Sequence, residues 1–164
     1  MQEAWLAWLG WLHTTPVALA MRQSGWLYPA VEILHILGFC ALVGSAALFD
    51  LRLLGVSRQI PVQHMAAHLL PVAWAGFALA APSGFLLLLP DAQSIGNSPI
   101  FLSKMALIGL AGLNAWVFHR RLGLSMQLWN LEKSPPLAAR LSALASLGLW
   151  VGVIALGRLI AYLG

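Results

Sequence analysis

The chain has 164 residues, of which 60% are hydrophobic and only 9% are charged. An ordinary soluble domain carries about 25% charged residues, so water is excluded as the solvent for most of this surface. A net charge of +4, with no basic stripe and no interleaving of basic and aromatic residues, excludes nucleic acid as the partner and reads as loop charge that sets orientation in a bilayer.

Length allows one domain, and no stretch outside the apolar runs is long enough to build a soluble core. Residues 1–25 form an amphipathic front segment and residues 26–164 a transmembrane domain. The front segment starts Met1-Gln2-Glu3, without the cations of a signal peptide n-region. His13-Thr14-Thr15-Pro16 interrupts it; Thr15 suits an N-cap and Pro16 a first helical position. Two short helices, about 3–13 and 16–23, are predicted at the membrane surface. Trp5, Trp8 and Trp11 recur every third residue, which suits an interfacial aromatic belt. A cleaved signal or a fifth span is the alternative.

The first span is predicted from about Tyr28 to Phe49, opened by Pro29 and closed by Asp50 with Arg52. Gly44, Ser45, Ala46 and Ala47 offer a small-residue surface for close helix approach. Cys40, the single cysteine, reads as a small packing residue. The second span runs from about Pro61 to Leu89 and contains Pro71 and Pro82, so kinks are predicted, with neighbouring groups satisfying the freed carbonyls. Residues 90–98 read as a loop. The third span runs from about Pro99, capped by Ser98 or Asn97, to His119, with Arg120-Arg121 at the interface. Residues 122–136 read as an amphipathic connector. The fourth span runs from about Leu137 to Tyr162, with Gly148 and Gly152 as a GxxxG step for intramolecular packing. The fold class is therefore all-α, a four-transmembrane-helix bundle behind a Trp-rich interfacial segment.

Side B denotes the face reached after the first span, and side A the other. Arg52, Arg58, Arg120, Arg121, Lys133 and Arg140 fall on side B. The positive-inside rule makes B cytoplasmic and places both termini in the periplasm of a bacterial inner membrane.

Ionisable groups inside spans face the bundle interior, because lipid makes them costly elsewhere. On side B, His68 and His119 fall at matched depth on neighbouring spans, with His64 one turn from His68. Two such imidazoles could ligate a haem b from both sides. They could equally face headgroups or pair with Asp50. On side A, Glu32 and His35 share a face, and Lys104 and Arg158 arrive near the same level, with Tyr162 one turn beyond. That cluster reads either as a Glu32–Lys104 ion pair beside His35 or as a polar pocket. The pocket could take a quinone headgroup, an anionic ligand, a haem propionate or a metal on His35. Asn114 lies mid-membrane, level with Ser45, and reads as an interhelical hydrogen-bonding group. Trp74, Trp116 and Trp150 read as packing residues.

The segment Trp26-Leu27-Tyr28-Pro29 with Glu32-Ile33-Leu34-His35-Ile36-Leu37-Gly38 resembles a family of small bacterial four-helix integral membrane proteins containing a domain of unknown function. Asp50-Leu51-Arg52-Leu53-Leu54-Gly55, Phe101-x-x-Lys104, Asn114 and His119 fit the same pattern. More distantly the plan resembles the copper-resistance D proteins and the b-type membrane cytochromes. The resemblance implies the four-helix topology and directs attention to Glu32, His35, Lys104 and His119.

Three functions follow as expectations. One is a haem-binding electron-transfer or anchor subunit for a periplasmic-side redox partner or quinone, with His68/His119 or His35 as ligands, which need not itself be an enzyme. The second is a small-solute or metal-ion permease using Glu32, His35, Lys104 and Arg158, with the second span as its moving part. The third is a non-catalytic anchor or assembly factor working through the Trp-rich segment.

Overall fold

A computed structural model describes residues 2–123, 126, 129 and 134–163. The described residues contain helices and no strand: α1 (Gln2–His13), α2 (Pro16–Gln23), α3 (Leu27–Leu54), α4 (Val62–Leu88), a 3₁₀ turn (Leu89–Asp91), α5 (Ala92–Gly96), α6 (Pro99–Arg121) and α7 (Leu137–Leu163). Four stretches, Leu27–Leu54, Val62–Gly96, Pro99–Arg121 and Leu137–Ile160, are long and apolar enough to cross a membrane. The protein is an integral membrane protein of four spans.

The first span outruns its expected end. Asp50 and Arg52 lie inside α3, which stops at Gly55, in the left-handed region at φ +108°. Glycine enters that region without steric cost. The Gly55 N–H donates to the Arg52 carbonyl at 3.1 Å, and the Val56 N–H to Leu51 at 3.0 Å, which satisfies carbonyls the helix leaves open. Arg52 is buried; its Nε donates to the Ile60 carbonyl at 2.6 Å and its Nη2 to Arg58 at 3.2 Å. This guanidinium fastens the turn between α3 and α4.

α4 runs unbroken through Pro71 and Pro82. Ser83 Oγ donates to the Leu79 carbonyl at 2.6 Å and lies 3.2 Å from that of Ala80, so a local hydroxyl serves the backbone beside Pro82. Residues 89–96 are helical, not a loop. They carry a small apolar core with the front segment, in which Leu9, Leu12 and Ala18 pack on Leu88, Leu89 and Ala92. Arg22 ties the two together, its Nη1 donating to the Pro90 carbonyl at 3.1 Å and its Nη2 to that of His13 at 3.1 Å.

α3 packs along α4, α6 along α7, and α7 also on α3. α4 and α6 scarcely touch. α3 and α4 approach closely at Gly38 and Gly76: a Cβ on Gly76 would fall 2.5 Å from the Leu42 nitrogen and 2.6 Å from the Gly38 carbonyl oxygen. Gly44, in the small-residue stretch expected to serve this purpose, has open space where its Cβ would be. The GxxxG step is likewise half used: Gly152 packs on Leu107 and Gly148 on nothing. Cys40 is exposed, so it does not pack in the core. Most of the 122–136 connector, Lys133 included, lies outside the described residues.

Candidate functional site

The bundle encloses a cavity of about 570 Å³, within the range of small-ligand sites. Its walls come from α3, α4, α6 and α7, and α4 and α6 face each other across it. Towards side B it carries the polar groups Asp50, Asn114, His119, Ser142 and Ser146, with Ser45 deeper. Its inner end is apolar, made by Leu42, Phe77, Ile108 and Trp150. Asp50 and Leu42 are eight residues apart on α3, so the polar and apolar ends are separated by about 12 Å of helical rise. Trp74 and Trp116 line the cavity from α4 and α6 and are 70% and 56% exposed. The two indoles therefore stand where those helices part. Beyond Asp50 on side B, Phe49, Leu53, Val62, Ala66 and Phe118 pack with Met126 and Trp129 into the larger apolar core.

Asp50 is the unexpected member of this site. Read as a helix-ending charge, it is instead 6% exposed. Arg52 sits about 200° further around α3 and serves loop carbonyls. The Ser146 hydroxyl acts on the Asp50 carboxyl from α7, while Oδ2 is buried with no hydrogen-bond partner among the described residues. A carboxyl buried within a membrane helix is costly, so one with an oxygen that has no partner among the described residues is a candidate functional position. Helical register is the signal that could have flagged it, because Asp50 borders the stripe of Ser45, Phe49 and Leu53 on α3.

Of the two histidines expected to share a ligand, only His119 lines the cavity; His68 is exposed, as is His64. Asn114 pairs with α7, not with Ser45. Its Nδ2 donates to the Ser142 carbonyl at 3.0 Å, and Ser142 Oγ donates back to its Oδ1 at 3.0 Å. This reciprocal pair clamps α6 to α7 on the cavity wall.

The side A residues separate into smaller groups. His35 crosslinks α3 to α4: its Nδ1 donates to the Ala80 carbonyl at 2.9 Å and lies 3.3 Å from Ser83 Oγ. Its ring rests on Gly84, where a Cβ would come within 2.8 Å of Cε1. With Nδ1 occupied as donor, Nε2 presents its lone pair. Glu32 and Lys104 both act on His35 electrostatically but form no ion pair with each other. Glu32 is exposed on the outer side of α3, and Lys104 lies along α7, its Nζ 3.6 Å from the Cβ position of Gly157. Arg158 turns away to Tyr162, donating to its hydroxyl at 2.6 Å with the guanidinium 4.8 Å from the ring centre. Among the described residues no three His, Cys, Asp or Glu side chains are grouped to hold a metal ion. Comparison with family models, with curated proteins and with solved structures gives no match to this chain.

Proposed function

We propose that the protein binds a lipid-soluble, amphipathic molecule, which enters the bundle sideways from the bilayer between α4 and α6. The observation that carries this reading is the cavity itself: a space of about 570 Å³ between two spans that scarcely touch, mostly apolar, with its two ionisable side chains, Asp50 and His119, towards side B. A ligand with a polar head and an apolar body matches that gradient, its head against Asp50 and His119. By the distribution of cations, side B is cytoplasmic, so the head would lie in the inner leaflet half of the membrane. The Trp-rich front segment, folded over residues 89–96, would then cover the periplasmic end.

The test is retention of a bound molecule. The protein is extracted in a mild detergent, and its organic extract is read by mass spectrometry. The expected result is about one equivalent of an apolar molecule per chain, lost in Gly112→Phe. Gly112 lines the cavity with open space where its Cβ would be, so the ring fills the site without a backbone clash. Equal retention by both proteins, or an empty native protein that also takes up no added amphiphile, overturns the reading.

A second reading, an electron-transfer subunit, rests on His35. An imidazole whose Nδ1 is held on a backbone carbonyl while Nε2 is presented is oriented as haem-ligating histidines are. His119 alone faces the cavity from side B, so a haem b there would take its other axial ligand from elsewhere than His68. A reduced-minus-oxidised absorption spectrum decides it: a Soret and α-band lost in His35→Ala supports this reading, and a colourless folded protein removes it.

A further inference from the structure

Given a cavity that takes its ligand from the bilayer, we propose that the ligand class is a lipophilic organic cation, with Asp50 as its counter-ion. Asp50 is 6% exposed and lines the cavity, and its Oδ2 has no hydrogen-bond partner among the described residues. Among the described residues no lysine or arginine lines the cavity to neutralise it; His119 on α6 is the other titratable side chain there, and α4 and α7 contribute none. Arg52, the nearest cation in sequence, is engaged with the carbonyls of Ile60 and Arg58.

The remaining walls suit a positive charge. Trp74, Trp116 and Trp150 line the same space, and indole faces attract cations most strongly of the aromatic side chains, more so where water is excluded. Trp116 already receives a cation on one side, the Arg120 guanidinium lying 5.5 Å from its ring centre. A neutral ligand without a hydrogen-bond donor would leave Oδ2 buried and unused. An anion would meet the carboxyl. A cation with apolar substituents satisfies the carboxyl, the indoles and the apolar inner end together.

The experiment uses two ions of the same shape and opposite charge, tetraphenylphosphonium and tetraphenylborate. Each is measured by equilibrium dialysis against the native protein in nanodiscs, with empty nanodiscs as the blank. The expected result is saturable binding of the phosphonium, weaker binding of the borate, and a loss of about 30-fold or more in phosphonium affinity in Asp50→Asn, the scale for removing one partner of a buried charge pair. Asp50→Glu is expected to keep part of the affinity, and Gly112→Phe to abolish it. Equal binding of both ions, with no effect of Asp50→Asn, overturns the counter-ion proposal and leaves the cavity as a ligand site. Binding of neither ion to the native protein, with no molecule co-purifying, overturns both. The comparison of the two ions on the native protein stands even where Asp50→Asn does not fold.

Discussion

Substituting Gly76 with alanine should loosen the α3–α4 pair, because the added methyl has nowhere to go. Its Cβ would stand 2.5 Å from the Leu42 nitrogen, 2.6 Å from the Gly38 oxygen and 3.0 Å from the Leu42 Cα. All three are backbone atoms of a continuous helix, so no side chain can turn aside. Reaching the 3.4 Å of ordinary contact requires the helices to part by about 0.9 Å. Overpacking of this kind costs about 1–3 kcal/mol. Replacing glycine by alanine inside a helix returns up to about 1 kcal/mol, so the net loss should be about 1–2 kcal/mol. Gly109→Ala is the control: Gly109 lies within α6 and its Cβ would meet nothing within 4 Å, so only the helix gain remains. The assay is reversible unfolding in mixed micelles with increasing denaturing detergent, followed by helical circular dichroism. Gly76→Ala should unfold at lower detergent than the native protein and Gly109→Ala at equal or higher. Equal midpoints for the two variants would show that α3 and α4 are not in backbone contact, and the bundle drawn here would be wrong.

Asn114→Ala and Ser142→Ala should each destabilise by about 1 kcal/mol or less. The double variant should lose little more than Asn114→Ala, since the bond to the Ser142 backbone carbonyl survives Ser142→Ala but not Asn114→Ala; a double-mutant cycle in the same assay measures the coupling. Gly84→Ala should push the His35 ring off the Ala80 carbonyl, at a cost of about 1 kcal/mol, and His35→Ala added to it should cost nothing further by the same unfolding measurement. Arg22→Ala should free the front segment without unfolding the spans, read as limited proteolysis within residues 1–25 at an unchanged unfolding midpoint; protection equal to the native protein would refute the tie to Pro90. Asp50→Leu should raise the unfolding midpoint by the equivalent of about 1 kcal/mol or more, because apolar replacements of buried charged groups are often stabilising, while ligand retention falls.

The spans themselves were legible because lipid imposes a simple requirement: long apolar stretches with the backbone bonded internally. Residues 137–163, 99–121 and 62–88 follow from hydropathy and the flanking prolines and cations. Partner choice between helices was not legible. Gly38 and Gly44 are both glycines in one span, yet only Gly38 meets a backbone, because contact depends on which glycine of α4 lies opposite it. Depth puts Asn114 level with Ser45, but depth does not say which neighbour a side chain points to, and its partner is Ser142. The residues 90–98 read as a loop from their turn-rich composition; they are helical to Gly96 because Leu9 and Leu12 of the front segment cover them, a long-range packing that local propensity does not encode.

Asp50 shows why the site was harder to read than the fold. A charge at the end of an apolar run is the ordinary sign of a helix leaving the membrane, and Asp50 and Arg52 together looked like such an end. The true stop is the left-handed Gly55, five residues beyond Asp50, which leaves both charges inside α3 on different faces. One face meets the α3–α4 turn, where carbonyls receive Arg52. The other meets the cavity, where no fixed cation among the described residues receives Asp50. An arginine two residues away that does not neutralise an aspartate is an arrangement chain geometry creates and stability does not explain. Leucine at position 50 would complete the apolar stripe of Phe49 and Leu53, so the carboxyl is kept at a cost to the bundle. That cost would be offset when something brought into the cavity uses the oxygen that has no partner among the described residues.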